Sequence, residues 1–272
     1  MKVIQPPYPT ALTIAGSDSS GGAGIQADLK TFFAMGVYGA SVITAITAQN
    51  TLGVQSVYPL PIEVVTAQLQ ALLSDIPFRA IKIGMLANRD IILAVAAALR
   101  EYPTPLPPII LDPVLVSSSG KLLLDIDARV TLIEELFPLA TIITPNLPET
   151  ALLLGISEVS NTEDAAYELL KTGPAAVLIK GGHSDEDLLT DTLVKSSGSI
   201  YRYTHGRMDC PDTHGTGCTL SAAITAKIAR RYSMETAVEE SIEWLLEAIG
   251  TGWSPGHGPG SVNHSWELWP KS

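Results

Sequence analysis

Residues 213–219 read Thr-His-Gly-Thr-Gly-Cys-Thr, and a strongly apolar helical run follows from Leu220. Gly215 and Gly217 strip side chains from the turn on either side of Thr216. Free N–H groups and the positive end of a helix dipole then converge on one spot, which suits an anion, phosphate above all. Cys218 stands at the lip of that spot, where a helix N-terminus pushes a thiol toward thiolate. A nucleophile-activating group beside a phosphate hole is the equipment of phosphoryl transfer. A capped helix enclosing a small buried thiol would use the same residues, so both readings stand on this stretch alone.

A second glycine-rich loop, Gly16-Ser-Asp-Ser-Ser-Gly-Gly-Ala-Gly24, lies between an apolar strand and a helix. Gly22-Ala-Gly-Ile-Gln-Ala27 matches the relaxed dinucleotide fingerprint. Two features argue against that use. The fingerprint begins well past the strand end at Ala15, and no acidic residue occurs from Leu29 to Ile62 to take a ribose. A ligand-binding loop at the carboxyl end of a strand fits better. Asp28, one turn into the helix, either favours the helix dipole or hydrogen-bonds a polar ring substrate. Gln49, in Thr47-Ala-Gln-Asn-Thr51, donates and accepts at once, as the N–C–N edge of a heterocycle requires. A solvent-facing turn glutamine is the plain alternative.

Other strand ends carry related chemistry. Asp112 closes the run Ile109–Leu111; Asn146 and Glu149 follow Thr141–Thr144; Lys180 closes Ala176–Ile179. On a parallel sheet these residues share the carboxyl edge, where open α/β folds bind ligands. Carboxylates and an amide hold Mg²⁺ through waters, and a lysine neutralises phosphate.

The elements that must position them are legible as alternating short apolar and longer amphipathic runs. Predicted strands are Leu12–Ala15, Ser41–Ala48, Ala80–Ile83, Ile109–Leu111, Thr141–Thr144, Ala176–Ile179, Thr192–Val194 and Ser199–Tyr203. Predicted helices are Gly24–Met35, Ile62–Leu73, Arg89–Glu101, Ala128–Phe137, Ala165–Lys171, Leu220–Arg231 and Met234–Ala248. Such alternation reads as βαβ units around a mostly parallel sheet with helices on both faces. Pro103–Pro108 is too short to separate domains. Ser117–Gly120 and the glycine-rich Gly250–Gly260 are candidate lids.

The chain has 272 residues, 46% of them hydrophobic, enough for a large core, and a net charge of −11. An acidic surface argues against nucleic acid or an anionic membrane as main partner. The N-terminus MKVIQPPYPT lacks an apolar signal core, and no apolar run reaches membrane-spanning length. Two cysteines, Cys210 and Cys218, suit a reducing cytosol better than a disulfide framework.

With these loops laid out, the chain resembles the ribokinase-like kinases, and within them the hydroxymethylpyrimidine/phosphomethylpyrimidine kinases of thiamine biosynthesis. The matching pieces are Ala11–Asp18, Ser20–Thr31, Ser41–Thr51, Lys82-Ile-Gly-Met-Leu86, Thr144-Pro-Asn-Leu-Pro-Glu149, Lys180-Gly-Gly-His183 and Thr213–Ser221. The resemblance implies an α/β fold, a ribokinase-like three-layer α/β/α sandwich around a mostly parallel sheet of about eight strands. It implies a single domain over 1–272, with its core at about 11–263 and peripheral ends at 1–9 and 264–272. Carried over by position, Gly16, Asp28, Gln49 and Met85 form the pyrimidine pocket. Gly215, Thr216 and Gly217 form the anion hole, with Cys218 as base where wider relatives carry aspartate. Asp112, Asn146, Glu149 and Lys180 handle the nucleotide, and Glu149 and Asp112 handle Mg²⁺ through water.

ATP and Mg²⁺ as cofactors, a small pyrimidine alcohol and its phosphate as substrates, and a cytoplasmic homodimer complete the expectation. The alternative is a vitamin B6 (pyridoxal or pyridoxine) kinase of the same fold. Three positions depart from the family's usual residues: Ser19 for proline, Leu115 for methionine and Asp212 for asparagine. The first two would alter pocket shape, and the third would set a negative charge near the phosphates.

Overall fold

Runs of Ile, Val, Leu and Ala without intervening charge form strands that can be buried on both faces. Eight strands of the fold overlap the predicted ones. They are β1 (Thr10–Asp18), β2 (Tyr38–Asn50), β4 (Ala80–Ile83), β5 (Ile109–Leu111), β6 (Ile142–Ile143), β7 (Ala176–Ile179), β8 (Leu188–Lys195) and β9 (Ile200–Gly206). Uncharged apolar runs make up β5, β6 and β7 and most of β1. The computed structural model describes residues 8–102, 105–115, 124, 126–182, 187–208, 210 and 213–268. Ser117–Gly120, His183, Asp212 and the outermost residues of both ends lie outside that set.

The sheet has nine strands in the order β3-β2-β1-β4-β5-β6-β7-β8-β9, one more than expected. The addition is β3 (Gly53–Pro59), which turns back from β2 and pairs with it antiparallel. Its residues Gly-Val-Gln-Ser-Val-Tyr-Pro are half polar and end in proline. That composition is tolerated at an edge and gives no apolar run to find. Strands β2, β1, β4, β5, β6 and β7 are mutually parallel, and β8 and β9 extend the sheet antiparallel at the other end.

Helices α2 (Ile62–Leu73), α3 (Arg89–Arg100), α4 (Ile126–Glu135) and α6 (Thr162–Leu170) cover one face through Leu69, Val95, Leu132 and Leu169. Helices α1 (Gly24–Ala34), α7 (Thr216–Ala229) and α8 (Met234–Gly250) cover the other through Phe32, Ile224 and Ile242. A short helix absent from the expectation, α5 (Leu147–Leu154), starts at a capping box formed by Asn146 and Glu149. Toward the C-terminus, His264 is buried with Nε2 3.0 Å from Thr219 Oγ1, and Trp266 packs on Trp244. The packed chain therefore runs past residue 263.

One residue breaks the apolar character of the central strands. Lys82 of β4 is fully buried, and its Nζ lies 2.8 and 2.9 Å from the two carboxylate oxygens of Asp28 on α1. Thr13 Oγ1 donates to the same carboxylate at 2.6 Å. Burial alone would strip the Lys82 proton, but the Asp28 charge holds it on more tightly than in water. Removing one partner of such a pair leaves a buried charge uncompensated, at a cost of about 3–5 kcal/mol. Lys82→Met is expected to lose that much stability in urea denaturation, and Lys82→Met with Asp28→Asn to regain at least half of it. A single variant as stable as the parent would show that the pair does not tie α1 to the sheet.

Candidate active site

Because β1, β4, β5, β6 and β7 are parallel, their carboxyl ends lie along one edge of the sheet. A cavity of about 760 Å³ opens there. Gly16, Gln49, Met85, Asp112, Asn146, Glu149, Lys180 and Gly215–Cys218 all line it, as does Lys82. Asp28 does not. Lys82 and Thr13 engage its carboxylate beneath the wall, so it faces no ligand, contrary to its expected place in a ring pocket. Lys82 is the group that reaches the cavity in its stead. Its sequence signal was a charge inside an otherwise apolar strand.

The two glycine-rich loops meet at the cavity. Gly215 adopts φ +83° as N-cap of α7, and a β-carbon there would overlap the Gly22 carbonyl oxygen. At Gly16 a β-carbon would stand 2.5 Å from Met85 Cε. Thr216 N–H donates to Thr213 O at 3.3 Å, whereas the N–H groups of Gly217 and Cys218 find no acceptor among the described residues. The Gly215 N–H is likewise without one among the described residues, so of the three amides expected only that of Thr216 is engaged.

Asp18, at the end of β1, ties the loops together. One carboxylate oxygen accepts from Ser20 N–H (2.8 Å) and Oγ (2.7 Å). The other accepts from Gly22 N–H (3.1 Å) and Ala23 N–H (2.8 Å) and lies 3.1 Å from His214 Nε2. Burial works to raise the Asp18 carboxyl, but the bonds from His214, Ser20 and Ala23 hold it below the ordinary value. His214 Nε2 also lies 3.0 Å from the Gln49 amide. Ser19, at a position where proline was expected, both donates to Gln49 O (2.7 Å) and accepts from Gln49 N–H (2.9 Å). The glycine-rich 250–260 segment is docked: Gly258 N–H donates to Thr51 Oγ1 (3.1 Å) and Gly260 O accepts from His214 N–H (3.2 Å). Ser19, Asp18 and His214 went unassigned in the sequence because their roles depend on contacts across loops.

The opposite wall carries the charge. Lys180 Nζ lies 2.9 Å from Asp112 Oδ1, which Thr144 Oγ1 also approaches at 3.1 Å. Burial would raise the Asp112 carboxyl, but Lys180 and Lys82 keep it ionised. Glu149 is pushed up to about 7. Burial raises it, Lys180 pulls it back only in part, and the Asp112 charge adds to the rise. Cys218 is pushed up to about 11 by burial, with Lys82 opposing and Asp28 and Asp112 adding. Burial and the Asp28 and Asp112 charges thus work against the expected shift toward thiolate, and Lys82 and a hydrogen bond from the Gly24 amide offset them only in part.

A family model described as phosphomethylpyrimidine kinase matches residues 18–263. The hydroxymethylpyrimidine/phosphomethylpyrimidine kinase of Rhizobium meliloti (strain 1021) is 47% identical over 264 residues, covering 95% of this chain and 98% of the relative. The crystal structure of phosphomethylpyrimidine kinase from Clostridium difficile 630 is 46% identical with a TM-score of 0.77, over 88% of this chain and 99% of that one. Bacillus subtilis pyridoxal kinase, solved as an ADP complex, is 36% identical with a TM-score of 0.87, over 96% and 100%.

The raised Glu149 carboxyl makes a pH-dependent contribution of known sign. A group whose folded value lies above its unfolded one stabilises below the unfolded value, near 4.5, and loses that contribution as pH rises through about 7. Glu149→Gln keeps the capping box but cannot ionise. Its melting temperature relative to the parent is expected to rise between pH 5 and pH 8. A constant difference across that range would mean that Glu149 titrates normally.

Proposed function

The chain belongs to the phosphomethylpyrimidine kinase family, and on that premise we propose that it phosphorylates 4-amino-5-hydroxymethyl-2-methylpyrimidine with ATP. The first transfer gives the monophosphate, the second the diphosphate, for thiamine biosynthesis. The observation that carries this reading is the pair of amides at Gly217 and Cys218, without acceptors among the described residues, in a cavity flanked by Lys180, Asp112 and Glu149. Backbone donors can hold a phosphoryl in flight, and the charged wall can hold the nucleotide phosphates from which it leaves.

In the first transfer the hydroxymethyl oxygen forms a bond to the γ-phosphorus while the bond to the β,γ-bridging oxygen breaks, leaving ADP. The transition state is loose, so the alcohol proton departs late and positioning dominates. The thiolate form of Cys218 is the group assigned to that proton and becomes the thiol, and Gly215, Thr216 and Gly217 line the anion hole, with the Thr216 amide turned to Thr213. Gly16, Gln49 and Met85 frame the ring, Lys82 takes the place expected of Asp28, and Asn146 and Lys180 attend the nucleotide. In the second transfer the nucleophile is a phosphate oxygen, already anionic, and needs no base.

Mg²⁺ suits this donor set. Among the described residues no three His, Cys, Asp or Glu side chains form a ready cage. Mg²⁺ at a kinase site keeps several waters and takes one or two carboxylates plus substrate phosphates. Glu149 and Asp112 would hold it through water, and it would offset phosphate charge. A bound cation would also return Glu149 to carboxylate.

The vitamin B6 reading draws support from the high TM-score of the pyridoxal kinase fold, against a lower identity. Purified protein given ATP, Mg²⁺ and each substrate separates the two. The pyrimidine is expected to give the higher kcat/KM, and a preference for pyridoxal would overturn the assignment. Cys218→Ala is expected to slow the first transfer about 100-fold or more while changing the second little. With a thiol at about 11, the parent's first transfer should accelerate between pH 7 and 9. Equal losses in both steps would leave Cys218 an orienting residue only.

The reading places the enzyme in the cytoplasm, where ATP is made and both cysteines stay reduced. Among the described residues no helix is long and apolar enough to cross a membrane. It also makes the enzyme a homodimer. Tyr38, Ile46, Leu52, Tyr58, Ile62 and Val64 are exposed on β2, the hairpin tip, β3 and the start of α2, forming an apolar sheet edge that a second copy would cover. Sedimentation should report a dimer and Tyr58→Glu a monomer; a monomeric parent at assay concentrations would end this part of the proposal.

A further inference from the structure

The Gln49 amide is the hydrogen-bonding edge offered to a ring, and its two ends are not equivalent. One end of the amide lies 3.0 Å from His214 Nε2, where the nitrogen is placed, and the other, placed as oxygen, lies 3.3 Å from Thr47 Oγ1. The oxygen and nitrogen of an amide have nearly the same shape, so the surrounding donors and acceptors decide which is which.

The chain of partners begins at Asp18. Its Oδ2 accepts from two backbone amides and lies 3.1 Å from His214 Nε2. Were Nε2 bare, its lone pair would face that carboxylate with no proton between them. Nε2 therefore carries hydrogen, in the neutral ring and in the imidazolium alike, and directs it at Asp18. A protonated Nε2 has nothing to accept with, so the Gln49 amino group cannot be its partner. The Gln49 atom facing it is the carbonyl oxygen, a second acceptor for the same N–H.

The other end gives the same answer independently. Thr47 Oγ1 lies 3.0 Å from the Ser17 carbonyl oxygen, which can only accept. The single hydroxyl hydrogen goes there, so Thr47 has only lone pairs left for the amide. The amide atom facing Thr47 must be the donor, the nitrogen. One rotation of the amide satisfies His214 and Thr47 together, and the Ser19 clasp holds the Gln49 backbone from which the amide extends.

We propose that His214 is a positioning residue: through Nε2–H it turns the Gln49 carbonyl toward the anion hole and so fixes which way round the pyrimidine lies. This rests on the reading given under Proposed function. In 4-amino-5-hydroxymethyl-2-methylpyrimidine the amino group donates and the adjacent ring nitrogen accepts. Paired with this amide, the amino group lies on the His214 side and the ring nitrogen on the Thr47 side. The hydroxymethyl carbon is bonded next to the amino-bearing carbon, so the reacting oxygen also falls on the His214 side. His214 immediately precedes Gly215, where the anion hole begins. The opposite amide orientation would seat the ring reversed, with the hydroxymethyl group away from that hole.

The test compares the parent, His214→Leu and His214→Gln on two substrates: the aminopyrimidine, and 5-hydroxymethyl-2-methylpyrimidine, which lacks the amino group. The parent should favour the amino compound by about 10-fold or more in kcat/KM. In His214→Leu that preference should collapse, with KM for ATP little changed. His214→Gln, which can return an N–H to the same place, should restore most of it. Equal loss on both substrates would mean that His214 is merely structural and would overturn the proposal. A second measurement does not depend on activity or on the variants folding: ¹⁵N NMR of the parent's His214 ring. A proton on Nε2 supports the amide orientation, and a bare Nε2 overturns it. Protonated Nε2 in an enzyme that leaves the pyrimidine untouched would overturn the functional reading while the amide orientation stands.

Discussion

No side chain can stand at residue 215. The Gly22 carbonyl oxygen occupies the space where its β-carbon would be, and the backbone there is left-handed. This close approach of two glycine-rich loops is the constraint on which the site depends. It brings the end of β1, with Gly16 and Asp18, against the N-terminus of α7, with its free amides. Without it the ring-binding half and the phosphate-binding half would be separate surfaces. Asp18 then stitches the contact with hydrogen bonds from its own loop and from His214. The backbone packing sets the distance, and the carboxylate sets the orientation.

A second constraint is the balance of buried charge. Lys82 and Asp28 satisfy one another in the wall. Lys180 is shared between Asp112, which it contacts, and Glu149, which it influences at a distance. Burial raises Glu149, and one ammonium group shared between two carboxylates offsets that only in part, so Glu149 is pushed up to about 7. Burial raises Cys218 as well, and the Asp28 and Asp112 charges add to the rise. A helix dipole contributes at most about 1–2 kcal/mol, which burial and two carboxylates can exceed. The wall thus carries one carboxylate more than its ammonium groups offset, which on the proposed function a divalent cation would balance.

Much of this was legible in sequence because parallel strands announce themselves as uncharged apolar runs and their ligand-binding ends follow at once. Asp112, Asn146, Glu149 and Lys180 could be placed on one sheet edge from spacing alone, and so they lie. What could not be read depended on contacts between distant segments. Strand β3 lacks an apolar run because an edge strand does not need one. Asp28 has the right chemistry for a ring ligand, but Lys82, far along the chain, claims it. The same blindness hid His214, whose partners Asp18 and Gln49 belong to loops distant in sequence. Ser19 showed only as a departure from the family pattern, whereas in the fold its hydroxyl clasps both backbone groups of Gln49.

The distant contacts also explain why ring recognition and phosphoryl placement should move together. Gln49 sits near the tip of the β2–β3 hairpin, and His214 sits at the threshold of α7. The 250–260 segment supports both, bonding Thr51 beside the first and the backbone of the second. The Gln49 edge and the α7 terminus, proposed to read the ring and hold the phosphoryl, are therefore braced by one loop and joined by one imidazole. A rigid connection of this kind lets a small polar substrate be aligned without many contacts. On the proposed function, the Gln49 amide would fix the ring's polarity, and the amides of Gly217 and Cys218, three and four residues past His214, would receive the phosphoryl. Alignment of that sort is worth more to a loose phosphoryl transfer than a strong base, which accords with a thiol that remains protonated at rest.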